Sequence, residues 1–393
     1  MTKSITPLGW CVLVVAVVGF VTGATFSWIE GWVLAVAATL VLLVAAPFLL
    51  GSRQYELSIA LPHRSVVAGG EVHLTVSVQN TAARPMMPAI IELPVGEALR
   101  ELTVPFLAAG QQAPLPVAIA APRRGVIAVG PLTVAHGDPL GLLRREHTWP
   151  EKHRVHVHPR TVMPPPNSAG LVRDLEGQAS SRLVDSDLSF HAVREYVPGD
   201  AVRNIHWKST AKTGSLMVRQ YEETQTARVA VLFDARREEY ASDDEFELGV
   251  SLAASLSTQA VREGRERFVA SAWVPAGRRP RADGLEELPS RSPAQLLDAW
   301  AELLPVSEGL PIEHLARTLA HSMRQLSLVA IITGSAVPVD RLRRTAVSFA
   351  PDVRVLAVRA EQLADPAAQR IDALTIMTAG ALGDLPQLLV RGA

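Results

Sequence analysis

The sequence predicts three parts: an N-terminal transmembrane helical hairpin, an immunoglobulin-like β-sandwich, and a doubly wound α/β domain. Three observations carry this prediction. Residues 8–26 and 31–50 are apolar runs without a single charge. Residues 55–158 alternate apolar and polar side chains with period two, and from Arg228 onward strand-like and helix-like apolar patterns alternate. The expected division is 1–52 for the hairpin, 53–160 for the sandwich, 161–179 for a linker, and 180–393 for a distinctive segment followed by the α/β domain. The length of 393 residues suits such a chain, and 48% apolar residues supply enough core material. Lys and Arg number 38 against 39 Asp and Glu, so bulk charge gives no case for nucleic-acid binding. The single cysteine, Cys11, lies in the first apolar run, which removes disulfides, Cys-based zinc and a Cys nucleophile in a soluble domain.

Each apolar run reaches the roughly 20 residues that a spanning helix needs. Between them stands Ser27-Trp28-Ile29-Glu30, a short polar break with Trp28 and Trp32 as interface anchors. The alternative is a cleaved signal peptide followed by one anchor, with Thr22-Gly23-Ala24 as the cleavage site. Lys3 precedes the first run, Arg53 and Arg64 follow the second, and the turn carries only Glu30. The positive-inside rule then expects a two-pass protein of the plasma membrane with both ends and the soluble domains in the cytoplasm.

In the middle part, residues 71–78 alternate strictly, as a half-buried strand should. Further short apolar runs at 89–93, 102–106, 115–120 and 125–134 are separated by Pro and Gly clusters, giving about seven strands. Asp138 in Gly137-Asp138-Pro139-Leu140-Gly141-Leu142 reads as a turn residue. His153, His156 and His158 lie on one expected strand leaving the sandwich, with His156 and His158 on one face. No carboxylate or further ligand stands near enough in sequence to complete a metal site. Three consecutive prolines mark the linker.

In the last part, strands are expected at 229–233, 267–274, 326–332, 353–358 and 373–377, and helices at 246–261, 293–304, 311–323, 341–349 and 382–390. Ligands of such sheets bind outside the carboxyl ends of the strands. Asp234 stands there on the first strand, followed by Ala235, Arg236, Arg237 and Glu238. Two arginines and no hydroxyl pair argue against a divalent cation. The next strand end, Thr333-Gly334-Ser335, has no carboxylate. No metal and no cofactor is expected.

The most distinctive segment runs from Arg194 to Tyr221. Pro198-Gly199 is a turn, Asp200 is expected to cap a short helix reaching Thr213, Gly214 stops it, and 215–221 alternates like a strand. Arg194, Arg203, His206, Lys208, Lys212 and Arg219 crowd this stretch, with Glu195, Asp200, Glu222 and Glu223 as partners. Tyr196, Ile205 and Trp207 would pack the segment onto the sheet. Alternatively the basic groups form a groove for an acidic partner, since guanidinium and ammonium in a fixed frame suit carboxylates. The partner-binding candidates are Arg194, Glu195, Tyr196, Asp200, Arg203, His206, Trp207, Lys208 and Arg219. His206 and Ser209 suggest two members of a triad, with Asp200 too far along the chain to join them.

The segment closely resembles the signature of the bacterial "domain of unknown function 58" family. Arg194, Glu195, Tyr196, Pro198, Gly199, Asp200, Arg203, Ile205, Trp207, Lys208 and Arg219 carry the match, and Lys212 departs from it where arginine is usual. Arg123-Arg124-Gly125, the stretch from Asp138 to Leu142 and the two-helix N-terminus also look like that family, so the resemblance covers nearly the whole chain. It implies a C-terminal fold similar to von Willebrand factor A domains, which often hold a metal through Asp-x-Ser-x-Ser at the first strand. Here only Asp234 matches, and Arg236 and Glu238 replace the serines. The resemblance also implies MoxR-type AAA+ ATPases and a transglutaminase-like membrane protein as partners, and no established reaction. With no Gly-x-Ser-x-Gly elbow, Walker A loop or His-Glu-x-x-His, the expected function is a non-enzymatic membrane-anchored adaptor or scaffold. The alternatives are a structural envelope protein without an ATPase, or an unrecognised hydrolase.

Overall fold

The computed structural model describes residues 5–46, 55–86, 88–137, 140–163, 188–198, 200, 202–223, 228–275, 277–323 and 326–392. Lys3, Arg53, Asp138, Pro139, Gly199 and most of the expected linker lie outside the described residues. The chain divides between His158 and Pro159 into two units.

The first unit begins with two apolar helices, Pro7–Phe26 and Ile29–Ala45. Thr6 caps the first, its Oγ1 accepting from the Gly9 amide at 3.1 Å. This helix of 20 residues is long and apolar enough to cross a membrane; the second, at 17 residues, is apolar but shorter. Small residues form the seam between them. A Cβ on Gly19 would come within 2.9 Å of the Ala35 amide, and one on Gly31 within 2.7 Å of the Gly23 amide. Only glycine allows that approach. Phe20 and Trp32 close the seam edge-to-face at 5.1 Å.

The sandwich has more strands than the seven its sequence suggests. One sheet pairs β1 (Tyr55–Ala60), β3 (Gly70–Asn80) and β6 (Gln112–Ala121) in that order. The other runs β2 (Ser65–Val67), β10 (His153–His158), β7 (Gly125–Val129), β4 (Ala89–Val95), β8 (Leu132–Gly137), β9 (Arg144–Trp149), with β5 (Ala98–Val104) also on β4. The strands that sequence reading missed are short or polar, and the 125–134 run is broken by the Gly130-Pro131 turn. On β3, Val72, Leu74, Val76 and Val78 point inward and meet Ile91, Leu93, Val134 and Val155 of the facing sheet in one core. Asn80 is fully buried and satisfied: its amide donates to the carbonyls of Arg84, Leu107 and Ala108, and its oxygen accepts from the Ala82 amide. β10 does not leave the sandwich. It is internal, paired to β2 and β7; His158 is buried and His153 bonds Glu151 at 2.9 Å.

In the second unit, β11 (Leu188–Glu195) and β12 (Met217–Glu223) form their own two-stranded antiparallel sheet. The large sheet then has the order β15 (Glu286–Glu287), β14 (Glu266–Ser271), β13 (Arg228–Phe233), β16 (Leu328–Gly334), β17 (Arg354–Ala360), β19 (Leu374–Ala379), β18 (Ala367–Ile371). The five central strands are parallel and the two edges antiparallel. Taken in chain order, the parallel strands lie 2-1-3-4-5, so the winding reverses between β13 and β16. Helices Asp243–Arg262, Pro293–Glu302 and Leu385–Arg391 cover one face; Ile312–Ser322 and Val339–Ala346 cover the other. β16 is buried at every position, as a strand covered on both faces should be. The expected 267–274 strand stops at Ser271, and the expected 341–349 helix is shifted to Val339–Ala346.

Candidate functional site

The signature segment folds around β12. Tyr196 donates its amide to the Leu216 carbonyl at 2.8 Å, and His206 donates to that of Met217 at 2.7 Å. Ile205, 8% exposed, pairs with buried Val218. Asp200 does not cap the helix. Arg194 takes its carboxylate bidentately at 2.8 and 2.7 Å, and the Val197 amide adds a third donor at 2.9 Å. These bonds, the guanidinium first, hold the Asp200 carboxyl below its ordinary value and the Arg194 guanidinium above its own. With Asp200 committed, the helix starts later, at Trp207, and runs to Thr213. His206 caps it: Nδ1 lies 2.7 Å from Ser209 Oγ and accepts from the Ser209 amide at 3.3 Å. The His206–Ser209 pair is therefore a cap, and Asp200 is tied elsewhere. Gly214 ends the helix at φ +76°, where a side chain would be strained.

Trp207 packs no core. It is 65% exposed at the first helical position, because Ile205 takes the inward place two residues earlier. Glu195, Arg203, Lys208 and Arg219 are exposed as well, and Tyr196 is half-buried. Seven of the nine candidate residues thus separate into an internal clasp, Arg194–Asp200, a cap, His206, and an outward set, Arg203, Trp207, Lys208 and Arg219, while Glu195 is exposed and Tyr196 half-buried beside the clasp.

The second place is the end of β13, at the point where the sheet reverses. Asp234 is fully buried, its amide donating to the Ile332 carbonyl at 2.9 Å. Arg236 turns back over it: Nε lies 3.3 Å from Oδ1, Nη2 3.2 Å from Oδ2, and the Arg236 amide 3.2 Å from Oδ1. The same guanidinium reaches Glu238 at 3.0 Å and pairs with buried Glu239. Arg341 then bridges Glu239 at 3.0 Å and Glu313 at 2.6 Å. Burial pushes the Asp234 carboxyl up against the pull of Arg236. Burial also pushes Glu313 up, but the Arg341 bonds overcome it and hold the carboxyl below its ordinary value. Tyr240 donates its hydroxyl to the Asp234 carbonyl at 2.7 Å, and burial drives that phenol well above its usual range. Glu245 accepts from the Ser335 amide at 2.7 Å and its hydroxyl at 3.0 Å. Gly334 is obligatory here because a Cβ would strike the Glu239 carbonyl.

Both Asp234 oxygens are thus occupied by donors of the chain itself, and the guanidinium of Arg236 supplies the positive charge. Sequence reading found Asp234 and Arg236 but missed Glu239, Glu313, Arg341 and the Glu245–Ser335 pair. Glu239 and Arg341 are about 100 residues apart, and no local spacing signals such a pair.

The model of the family described as "Protein of unknown function DUF58" matches residues 192–375. An uncharacterized protein of Bacillus subtilis (strain 168), YeaD, is 24% identical over 231 residues, covering 56% of this chain and 56% of that protein. Among solved structures, the CARDB domain of PF1109 from Pyrococcus furiosus is 14% identical, with TM-score 0.21, covering 26% of this chain and 94% of that one. A β-glucosidase from Listeria innocua is 12% identical, with TM-score 0.19, covering 26% and 16%. The family match takes in the Arg194–Asp200 clasp, the His206 cap and the Asp234–Arg236 strand end together, so residues 192–375 are similar to the DUF58 family across both candidate places.

Proposed function

We propose that the protein is a non-enzymatic, membrane-anchored adaptor that presents a von Willebrand factor A-like domain to a protein partner. The partners this reading expects are a MoxR-type AAA+ ATPase and a transglutaminase-like membrane protein. The observation that carries it is the state of Asp234. In von Willebrand-like domains this strand-end acid often serves a metal; here it is buried and paired with Arg236, two residues further on in a stretch, residues 235–239, that holds no serine. A site closed by its own guanidinium supports docking over chemistry. The outward set of Arg203, Trp207, Lys208 and Arg219 gives the segment exposed cations and an exposed aromatic ring, chemistry suited to an acidic protein face.

Full-length protein in detergent-solubilised membranes, used as bait with and without ATP, tests this reading. Nucleotide-dependent capture of an AAA+ ATPase is expected, weakened by Arg203→Ala and by rising salt. Equal recovery with and without ATP, or no ATPase at all, would overturn it. The proposed topology has both ends in the cytoplasm, so a C-terminal alkaline-phosphatase fusion should be inactive.

A further inference from the structure

The stretch ending in Leu140-Gly141-Leu142 has no part in the adaptor reading, yet the structure gives it a position. The Thr6 amide donates to the Leu142 carbonyl at 3.0 Å, and Thr6 Oγ1 donates to the Gly141 carbonyl at 2.7 Å. Ile5 pairs with Leu143 across a β-bridge. A Cβ on Gly9 would strike the Leu142 carbonyl. Leu142 and Leu143 are buried with Ala45, and Ile5, Val12, Val41 and Leu42 pack around them. The loop of the sandwich is therefore wedged between the start of one apolar helix and the end of the other.

Depth follows from helix geometry. Val12 lies five residues inside the helix Pro7–Phe26, about 7 Å along its axis at 1.5 Å per residue. A helix of 20 residues is about 30 Å long, the thickness of the hydrocarbon core. If that helix fills the core, side chains touching Val12 stand at or below the boundary with the headgroups. Leu140, next to them, is 56% exposed. An exposed leucine is unremarkable in water, but beside two apolar helix ends it faces lipid.

We propose that residues 140–143 form a membrane-seated tip of the β-sandwich, with Leu140 in contact with the lipid boundary. The proposal rests on Pro7–Phe26 spanning a membrane, and one experiment separates the two claims. The full chain is placed in lipid nanodiscs and labelled with an environment-sensitive fluorophore at its native Cys11, which is exposed on the first helix. A second sample carries the label at Leu140→Cys in a Cys11→Ser background. Lipids bearing a doxyl quencher near the headgroup, and aqueous iodide, are then compared. Loss of fluorescence to the doxyl lipid at both positions, with little loss to iodide, is the expected result. Quenching by the lipid at Cys11 but by iodide at position 140 would overturn the tip and leave the span intact. Protection of position 140 from both quenchers would place protein there instead of lipid and would equally overturn it. Iodide quenching at both positions would remove the span, and the tip with it.

Discussion

Arg236 holds one fixed positive charge against Asp234 and Glu239, each almost wholly out of water. Breaking a buried pair by removing one partner leaves the other charge uncompensated, at a cost of about 3–5 kcal/mol. Arg236→Ala should lower the melting temperature of the second unit by that measure, while melts with magnesium and with chelator should coincide for the native protein. A chelator-dependent midpoint would contradict the closed site. Thr333 presents the opposite case. It is fully buried on β16 and its hydroxyl has no hydrogen-bond partner among the described residues. An unsatisfied buried hydroxyl costs about 1–3 kcal/mol, and valine has nearly its shape. Thr333→Val should leave thermal stability equal or raise it by about 1 kcal/mol. Asp234 was legible because it ends an apolar strand. Arg236 was legible as a cation that opposes metal; its service to Glu239 was not, because Glu239 is buried by a turn and bridged by a distant helix.

Elements were legible where hydrophobic period and punctuation agree. The helix Asp243–Arg262 shows both, with Ser242 capping it through the Glu245 amide at 3.1 Å. The signature helix shows where they part. Its end at Gly214 could be read, but its beginning could not, because the good capping residue Asp200 was taken by Arg194. Of the three residues expected to pack inward, Ile205 is buried, Tyr196 is half-buried and Trp207 is exposed. Trp207→Ala should therefore shift the melt by less than about 0.5 kcal/mol, as exposed substitutions do. Ile205→Ala, which empties a buried position, should cost about 2–4 kcal/mol. The clasp also sets an acid limit. Asp200 and Glu313 titrate below their ordinary values in the folded protein. The stability they contribute is complete above the unfolded carboxylate range near pH 4 and is lost as pH falls through the lowered folded values. An acid titration followed by circular dichroism should show Arg194→Ala melting at higher pH than the native chain.

For the whole molecule, the apolar helices, the β-sandwich and the parallel sheet follow from changes of period along the chain. The edge strands do not: Glu286–Glu287 has two residues and Ala367–Ile371 is mostly exposed, so neither has an apolar signature. Strand order was equally hidden, because pairing partners are chosen by packing across long separations. That order has a consequence during synthesis. β13 sits between β14 and β16, and Val229 meets Leu328 about 100 residues later. At roughly 5–20 residues per second, the ribosome takes about 5–20 s to supply that neighbour. For that time Val229–Phe233, wholly apolar, has one open edge. A nascent chain halted after residue 327 should pellet or bind holdase chaperones in a translation extract, whereas one extended to residue 393, with β16, β17 and β19 all supplied, should be released soluble. Growth conditions that slow elongation would lengthen this exposure, so the yield of folded protein should be set by the tempo of translation as much as by the stability of the finished sheet.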